Sequence, residues 1–288
     1  MTHDDRAQTF EPHRGRLYGI AYRMLGSRAD AEDIVQETYL RWHRAPADEI
    51  RSPEAWLVTA TTRLCIDRLR TAQAERAVYV GPWLPEPLIG ETAAPGADAA
   101  SELASSLSVA FLAVLERLAP EERAAFLLHE VFDTEYEEIA QILGKSVAAC
   151  RQIVSRARRR VREDRPRVRV SESARKAVLA RFVDAVMSQD KDAVMQVLAA
   201  DVTWTSDGGG KAKAARKVIR GSDHVARFIV GVIGRYVPQV ELRPIVVNGE
   251  AGLALYGHER LISVISIVTD GVRILDVYTV VNPEKLRV

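Results

Sequence analysis

Along roughly the first 165 residues of this 288-residue chain, apolar side chains return every three or four positions, and beyond that the period changes. LYGIAYRML, AEDIVQETYLRW, PEAWLVTATTRLCIDRL, SVAFLAVLERL, EERAAFLLHEVF and EYEEIAQIL each line one side of a helix. Further on, VELRPIVV, GLALYGHERLISVISIV and VRILDVYTVV alternate or run together β-branched residues, with NG and DG turn pairs nearby. A helix presents a face about every 3.6 residues and a strand every second residue, so no single kind of layer accommodates both patterns. The expectation is an all-helical first part followed by an α+β domain, its helices packed on a curved antiparallel sheet. Helices over Ala174–Met187, Lys191–Leu198 and Asp223–Tyr236 would supply that packing.

Two stretches interrupt the pattern. Tyr79 to about Ala100 is rich in Pro, Gly and Ala, and its GPWLPEP segment carries Pro82, Pro85 and Pro87, which forbid helix. RPRVRVS, Pro166 to Ser171 with the residue before it, marks a second boundary. The implied organisation is a helical domain over 8–78, a Pro-containing linker over 79–105, a second helical domain over 106–165 and the α+β domain over 171–288.

The formal net charge of +1 conceals a segregation. Residues 1–150 hold 15 basic and 24 acidic side chains, whereas 151–169 hold nine arginines against Glu163 and Asp164. One arginine-rich segment therefore points to nucleic acid where the total does not. The start, MTHDDRAQTF, has no apolar run, and no stretch approaches the roughly 18 unbroken apolar residues of a membrane span. A cytoplasmic protein with two buried thiols, Cys65 and Cys150, is the expectation.

EYEEIAQILGKSVAACRQIVSRARRRV has the chemistry of a helix-turn-helix. Ala140 permits a close helix crossing, Gly144 supplies a left-handed end, and Ser146 can cap the second helix. Ile139, Leu143, Cys150 and Ile153 fall on the shared face. Ser146, Val147, Ala148, Arg151, Gln152 and Ser155 lie at the outer N-terminal part, which in such motifs meets base edges in the major groove. Arg156, Arg158, Arg159, Arg160 and Arg162 follow, placed to neutralise phosphates.

Two earlier segments carry a family resemblance. SRADAEDIVQETYLRWHR resembles the core-polymerase-binding helix of bacterial extracytoplasmic-function sigma factors, and SPEAWLVTATTRLCIDRLR the next helix, which reads the melted minus-ten element. The helix-turn-helix resembles the minus-thirty-five-reading domain of the same family, and the three lie in the family's order across about residues 10–164. The resemblance implies that Asp30, Asp33, Gln36, Glu37 and Arg41 dock on the polymerase clamp coiled coil, with a second contact at the flap. On the next helix, Trp56, Leu57, Ala60, Leu64 and Leu69 are natural core residues, leaving Thr59, Thr62, Arg63 and Arg70 to hold a single strand. Many members of the family carry Asn where Arg63 stands. HRAPADEIRSP matches the loop that pockets a flipped base.

The last 120 or so residues resemble the SnoaL-like cone, a small α+β domain that a subgroup of these sigma factors carries as a fused extension. The subgroup's marks appear as WLPEP (Trp83, Leu84, Pro85 to Pro87), DGGGK (Asp207 to Lys211) and NPEKL (Asn282, Pro283, Glu284, Lys285, Leu286). DGGGK lacks the residue after Lys that a phosphate loop requires, so a turn admitting close backbone approach is the better account. Trp83 is expected to anchor the linker in a groove of the C-terminal domain or on its NPEKL tail, the alternative being packing on the adjacent helical domain. No base–acid pair is identifiable, although Tyr256, His258 and Arg260 alternate along one expected strand and Asp276 with Tyr278 along another. No cofactor and no metal is called for. The partners implied are core RNA polymerase, promoter DNA and, through the cone, a small-molecule ligand. Two rivals stand beside the sigma factor: a ligand-responsive helix-turn-helix regulator, and an isomerase- or cyclase-like enzyme using Asp207, His258 or Asp276 with a DNA-binding appendage.

Overall fold

The computed structural model describes residues 3–46, 50–90, 106–163, 170–233 and 240–286. The centre of the expected base-pocketing loop, the linker beyond residue 90, the boundary at 164–169 and the helix end at Tyr236 lie outside the described residues. The chain divides into two compact units, Met1–Ala77 with Val114–Asp164 and Val78–Ala113 with Arg165–Val288.

The first unit is helical: α1 (His3–Leu25), α2 (Arg28–Arg44) and α3 (Pro53–Ala77), then α5 (Pro120–Glu130), α6 (Tyr136–Leu143) and α7 (Val147–Glu163), with α4 (Val109–Leu115) straddling the two units. Local chemistry sets the boundaries. Gly26 ends α1 at a φ of 68° and Ser27 caps α2 by accepting from the Asp30 amide. Pro53 opens α3 at the position where a missing N–H is harmless. Leu17, Ile20, Ile34, Val35, Trp42, Leu57, Val58, Ile66 and Leu69 form the core of α1–α3. Trp42 is fully buried; its indole donates to the Arg6 carbonyl at 3.0 Å, while the Arg6 guanidinium returns bonds to the carbonyls of Trp42 and Ala45. A cation on the unpaired carbonyls at the end of α2 satisfies both hydrogen bonding and the helix dipole.

The buried stripe of α3 differs from expectation. It runs through Leu57, Val58, Thr61, Thr62, Cys65, Ile66, Leu69 and Ala72, whereas Trp56, Ala60 and Leu64 are only half-buried. Thr61 is inside because its hydroxyl meets that of Thr38 at 3.1 Å. Thr62, expected outside, is therefore buried beside it, and its hydroxyl finds no protein partner. Small polar residues fit this face because α2 crosses close by. Bulk, which guided the sequence reading, was the wrong guide.

The helix-turn-helix forms as its chemistry requires. Gly144 has a φ of 64°, the Ser146 hydroxyl accepts from the Ala149 amide, and Ile139, Ala140, Cys150, Ile153, Val154 and Ala157 are buried. Ile142 is buried where Leu143 was expected; Leu143 is half-buried.

The second unit holds α8 (Glu172–Met187), α9 (Lys191–Val197), α10 (Ser222–Ile233) and a six-stranded sheet of β1 (Leu198–Asp207), β2 (Ile219–Arg220), β3 (Val240–Val247), β4 (Glu250–Gly257), β5 (Arg260–Thr269) and β6 (Ile274–Val280), in the order β2-β1-β6-β5-β4-β3. All pairs are antiparallel except β1 with β6, which are parallel, a departure from the fully antiparallel expectation. Val178, Phe182, Val225 and Ile229 cover one face over Trp204, Leu253, Ile265 and Val277. Leu84, Val109, Val264, Val280 and Leu286 form a second cluster on the other face. GLALYGHERLISVISIV is a hairpin: His258 and Glu259 both take positive φ, 49° and 61°, so His258 sits in a turn and does not alternate along a strand with Tyr256 and Arg260. Nothing in the His-Glu pair announces a turn in the way Asn248-Gly249 does.

Gly144 gives a clean test of this account. A Cβ there would meet nothing within 4 Å, so Gly144→Ala charges only the left-handed backbone, about 1–2 kcal/mol. Urea unfolding of the full chain should show that loss with helical circular dichroism retained; an unchanged midpoint would contradict the assignment.

Candidate polymerase, DNA and linker-docking surfaces

On α2 the candidate docking residues separate into two sets. Asp33 and Gln36 are exposed, and Glu37 pairs with Arg41 at 2.8 Å on the same outer side. Asp30 instead faces α3, accepting from Arg68 at 2.9 Å while Arg68 also holds Glu75. It sits one turn earlier, where the helix surface has rotated towards its neighbour. Leu40, 39% exposed, adds an apolar contact to the outer side. Its signal in the sequence was a large apolar residue outside the inward stripe.

On α7, Ala148, Arg151, Gln152, Ser155, Arg156 and Arg159 are exposed and Val147 is half-buried. The Arg151 guanidinium stacks 5.4 Å above the Tyr136 ring, which fixes its direction. Several arginines are already paired with acids of α5: Arg158 with Glu130 at 2.5 Å and Arg160 with Glu122 at 2.5 Å, with Glu122 also 4.0 Å from Arg156. The Glu130 bond raises the Arg158 guanidinium above its usual pKa. Arg159 and Arg162 carry no ion pair among the described residues.

On α3, Thr59 returns its hydroxyl to the Ala55 carbonyl at 2.7 Å, and Thr62 is buried as described. Arg63 and Arg70 do project outward, but each has an intramolecular partner. The Arg63 guanidinium donates at 3.0 Å to the carbonyls of both Gln141 and Ile142, and Arg70 pairs with Glu121 at 2.9 Å.

The second unit contains a polar constellation built around one carboxylate. Asp207, at the end of β1, is fully buried. One carboxylate oxygen accepts from the Tyr79 hydroxyl at 2.6 Å; the other accepts from the Leu84 amide at 2.8 Å and the Lys285 ammonium at 2.7 Å. Its carbonyl accepts from the amides of Val281 and Asn282. Lys285 also donates to the Leu84 carbonyl at 2.6 Å and lies 4.0 Å above the Trp83 ring. Asn282 donates to the Tyr79 oxygen at 3.0 Å and accepts from the Glu284 amide, while Lys211 pairs with Glu284. Burial, reinforced by Asp207, pushes the Tyr79 phenol above its ordinary range.

The linker thus threads between the DGGGK and NPEKL segments. Leu84, 2% exposed, is the deep anchor, with Pro85 and Leu286 buried beside it, and Trp83 is half-buried beneath a cation. Trp83 meets the NPEKL tail through Lys285, while Leu84 fills the groove. A shorter aliphatic side chain reaches the β-branched cluster of Val247, Val264 and Val280, while the indole offers its face to Lys285. Pro283 is exposed. The glycines have a mechanical reason: Gly209 sits at a φ of 57°, and a Cβ there would collide with the Asn282 amide and come within 2.8 Å of the Tyr79 hydroxyl. Two participants escaped the sequence reading, Tyr79 and Asn248. Asn248 accepts from the Leu88 amide at 3.0 Å and donates to the Leu107 carbonyl at 2.9 Å, although in the sequence it signalled only a turn.

The residues considered for catalysis do not assemble. Asp207 is enclosed by donors, His258 occupies the β4–β5 turn, and Asp276 accepts from the Thr203 hydroxyl at 2.5 Å on β1. Burial raises the Asp276 carboxyl. Among the described residues no group of His, Cys, Asp or Glu could hold a metal, and no helix is long and apolar enough to cross a membrane. A cavity of about 360 Å³ beside Val80, Gly81 and the loop after Asp207 lies at the linker, not inside the cone.

Comparison with known proteins decides the family. Residues 9–75 match the model of Sigma-70 region 2, and residues 108–161 that of Sigma-70 region 4. The chain is 40% identical over 287 residues to the ECF RNA polymerase sigma factor SigJ of Mycobacterium tuberculosis, covering 96% of this chain and 91% of that one. The chain belongs to the ECF RNA polymerase sigma factors. The probable ECF sigma factor SigI of the same species is 31% identical over 99% of this chain and 96% of its own length. The crystal structure of M. tuberculosis SigJ superposes with a TM-score of 0.73 at 38% identity, covering 97% of each chain. This sigma factor accordingly joins two helical sigma domains to a C-terminal SnoaL-like α+β domain, and it directs RNA polymerase in transcription initiation.

Asp207 should be the most sensitive position of the second unit. Asp207→Ala strands a largely buried ammonium, an effect of about 3–5 kcal/mol. The expected result is a lowered urea midpoint and faster proteolysis within residues 79–90, with Asp207→Asn intermediate. Linker cleavage as slow as in the parent would overturn the role given to this carboxylate.

Proposed function

We propose that this sigma factor docks on core polymerase through the outer side of α2, reads two promoter elements with α3 and α7, and is regulated by its own SnoaL-like domain through the docked linker. The observation that carries the regulatory part is the Asp207 constellation, which joins linker, DGGGK loop and NPEKL tail in one bonded group. Domains at 8–78, 106–165 and 171–288, with the linker over 79–105, fit this division of labour.

Asp33, Gln36, Glu37 and Arg41, with Leu40 among them, make a mixed polar and apolar patch suited to a helical partner such as the polymerase clamp coiled coil. Region 4 would meet the flap and present α7 to the minus-thirty-five duplex. Ala148, Arg151, Gln152 and Ser155 face base edges, and Arg156, Arg158 and Arg159 face phosphates. No bond is made or broken by the protein, and a partner found in the nucleoid places it in the cytoplasm.

The docked linker sets how far the two DNA-reading domains separate, because Leu84, Tyr79 and Leu88 are held to the C-terminal unit. Trp83, half-buried, stacks under the Lys285 ammonium beside it. Run-off transcription with core polymerase tests the whole reading. Asp33→Lys with Glu37→Lys should abolish capture by the core while leaving helical content intact. Trp83→Ala should alter promoter-directed transcript yield far more than melting temperature. Unchanged core capture by the α2 variant would overturn the docking assignment, and an unchanged transcript yield in Trp83→Ala would overturn the regulatory one.

A further inference from the structure

Between Asp207 and Asp223 the chain carries Lys211, Lys213, Arg216, Lys217 and Arg220 and no acid. Lys211 meets Glu284, whereas Lys213, Arg216 and Lys217 are exposed and make no ion pair among the described residues. Lys211, Lys213 and Arg216 line the cavity of about 360 Å³, together with Val80 and Gly81 of the linker and Ser206 of β1. Ser206 is 3% exposed, and its oxygen accepts the Trp204 indole N–H at 2.7 Å. An indole nitrogen donates only, so the Ser206 proton is still to be given away. No acceptor meets it among the described residues, and a buried donor left unspent costs free energy until an acceptor arrives. The linker is one wall of this recess. A Cβ on Gly210, at a φ of 72°, would lie 3.2 Å from the Val80 side chain, and one on Gly81, at 85°, would touch the Arg216 backbone at 3.7 Å.

Three cations set against the Glu284 carboxylate leave two positive charges at the recess. A phosphate monoester, whose second pKa is about 6, carries two negative charges near neutral pH, whereas a carboxylate carries one. A guanidinium fork beside ammonium groups also suits the several oxygens of a phosphate. The volume lies within the roughly 300–1,000 Å³ of small-molecule sites. We infer that this recess binds a small phosphorylated molecule, its phosphate on Lys213, Arg216 and the Ser206 hydroxyl, and that occupancy stabilises the docked linker. The charge comes from side chains, so the DGGGK turn need not act as a phosphate loop. A ligand that requires both walls binds the docked linker alone and draws the equilibrium towards it. Its effect on transcription rests on the regulatory role proposed above for the linker.

The test uses the full chain without polymerase, with inorganic phosphate and adenosine monophosphate as probes and acetate at equal ionic strength as the comparison. Amide exchange should slow saturably across residues 208–216 and at the Leu84 amide with either phosphate probe and not with acetate. Lys213→Ala combined with Arg216→Ala should weaken phosphate binding about tenfold or more, as charge-assisted bonds are lost. The melting temperature of that variant without phosphate should match the parent, since both side chains are exposed. No saturable slowing with either probe, or equal affinity in the double variant, would overturn the site. Equal slowing by acetate would overturn its phosphate chemistry, and slowing by promoter duplex alone would assign these cations to DNA instead. Loop protection with Leu84 unchanged would overturn the coupling to the linker. Core capture is read in a separate assay, and its failure strikes the polymerase docking rather than this recess.

Discussion

A carboxylate with no exposed surface must be fully paired, and Asp207 meets that demand with groups drawn from two separate parts of the chain. Tyr79 and Leu84 come from the linker and Lys285 from the C-terminal tail, while the adjoining carbonyl binds the chain at Val281 and Asn282. None of these segments has regular structure of its own to stabilise it. The prolines lower the entropy lost on ordering the linker, the glycines after Asp207 let backbone approach side chain, and the charge pair gives the contact its direction. A hydrophobic contact alone, Leu84 on Val264, Val280 and Leu286, would hold the linker without fixing its register.

The helical unit shows a related logic with the opposite sign of charge. Arginines find carbonyls at helix ends: Arg6 on α2, Arg76 and Arg123 on α1, Arg63 on α6. Each exploits groups that a helix necessarily leaves unpaired. Such bonds are directional, so each fixes its arginine against one helix end. The acids of α5 behave likewise towards the arginines of α7. The segregated charge of the sequence thus acts first within the molecule.

Where a residue type has one physical use, the sequence was legible. Gly144, Ser146 and the small Ala140 announced the helix-turn-helix. The two-part architecture followed from the change of hydrophobic period. Legibility failed where tertiary contact chooses between uses. Thr62 is buried because α2 passes close to α3, His258 turns the chain without a turn residue's usual chemistry, and Asp30 pairs with Arg68 across helices. The short motifs WLPEP, DGGGK and NPEKL were visible as motifs, but their convergence on one carboxylate depends on β1 and β6 lying side by side, which no local pattern encodes.

Backbone amide exchange across the linker addresses the central claim most directly. In the free full-length protein the amides of Leu84 and Leu88, bonded to Asp207 and Asn248, should be protected to the same order as those of β6. Exchange at those two amides as fast as in unstructured chain, with the sheet still protected, would contradict the docked linker and the regulation built upon it.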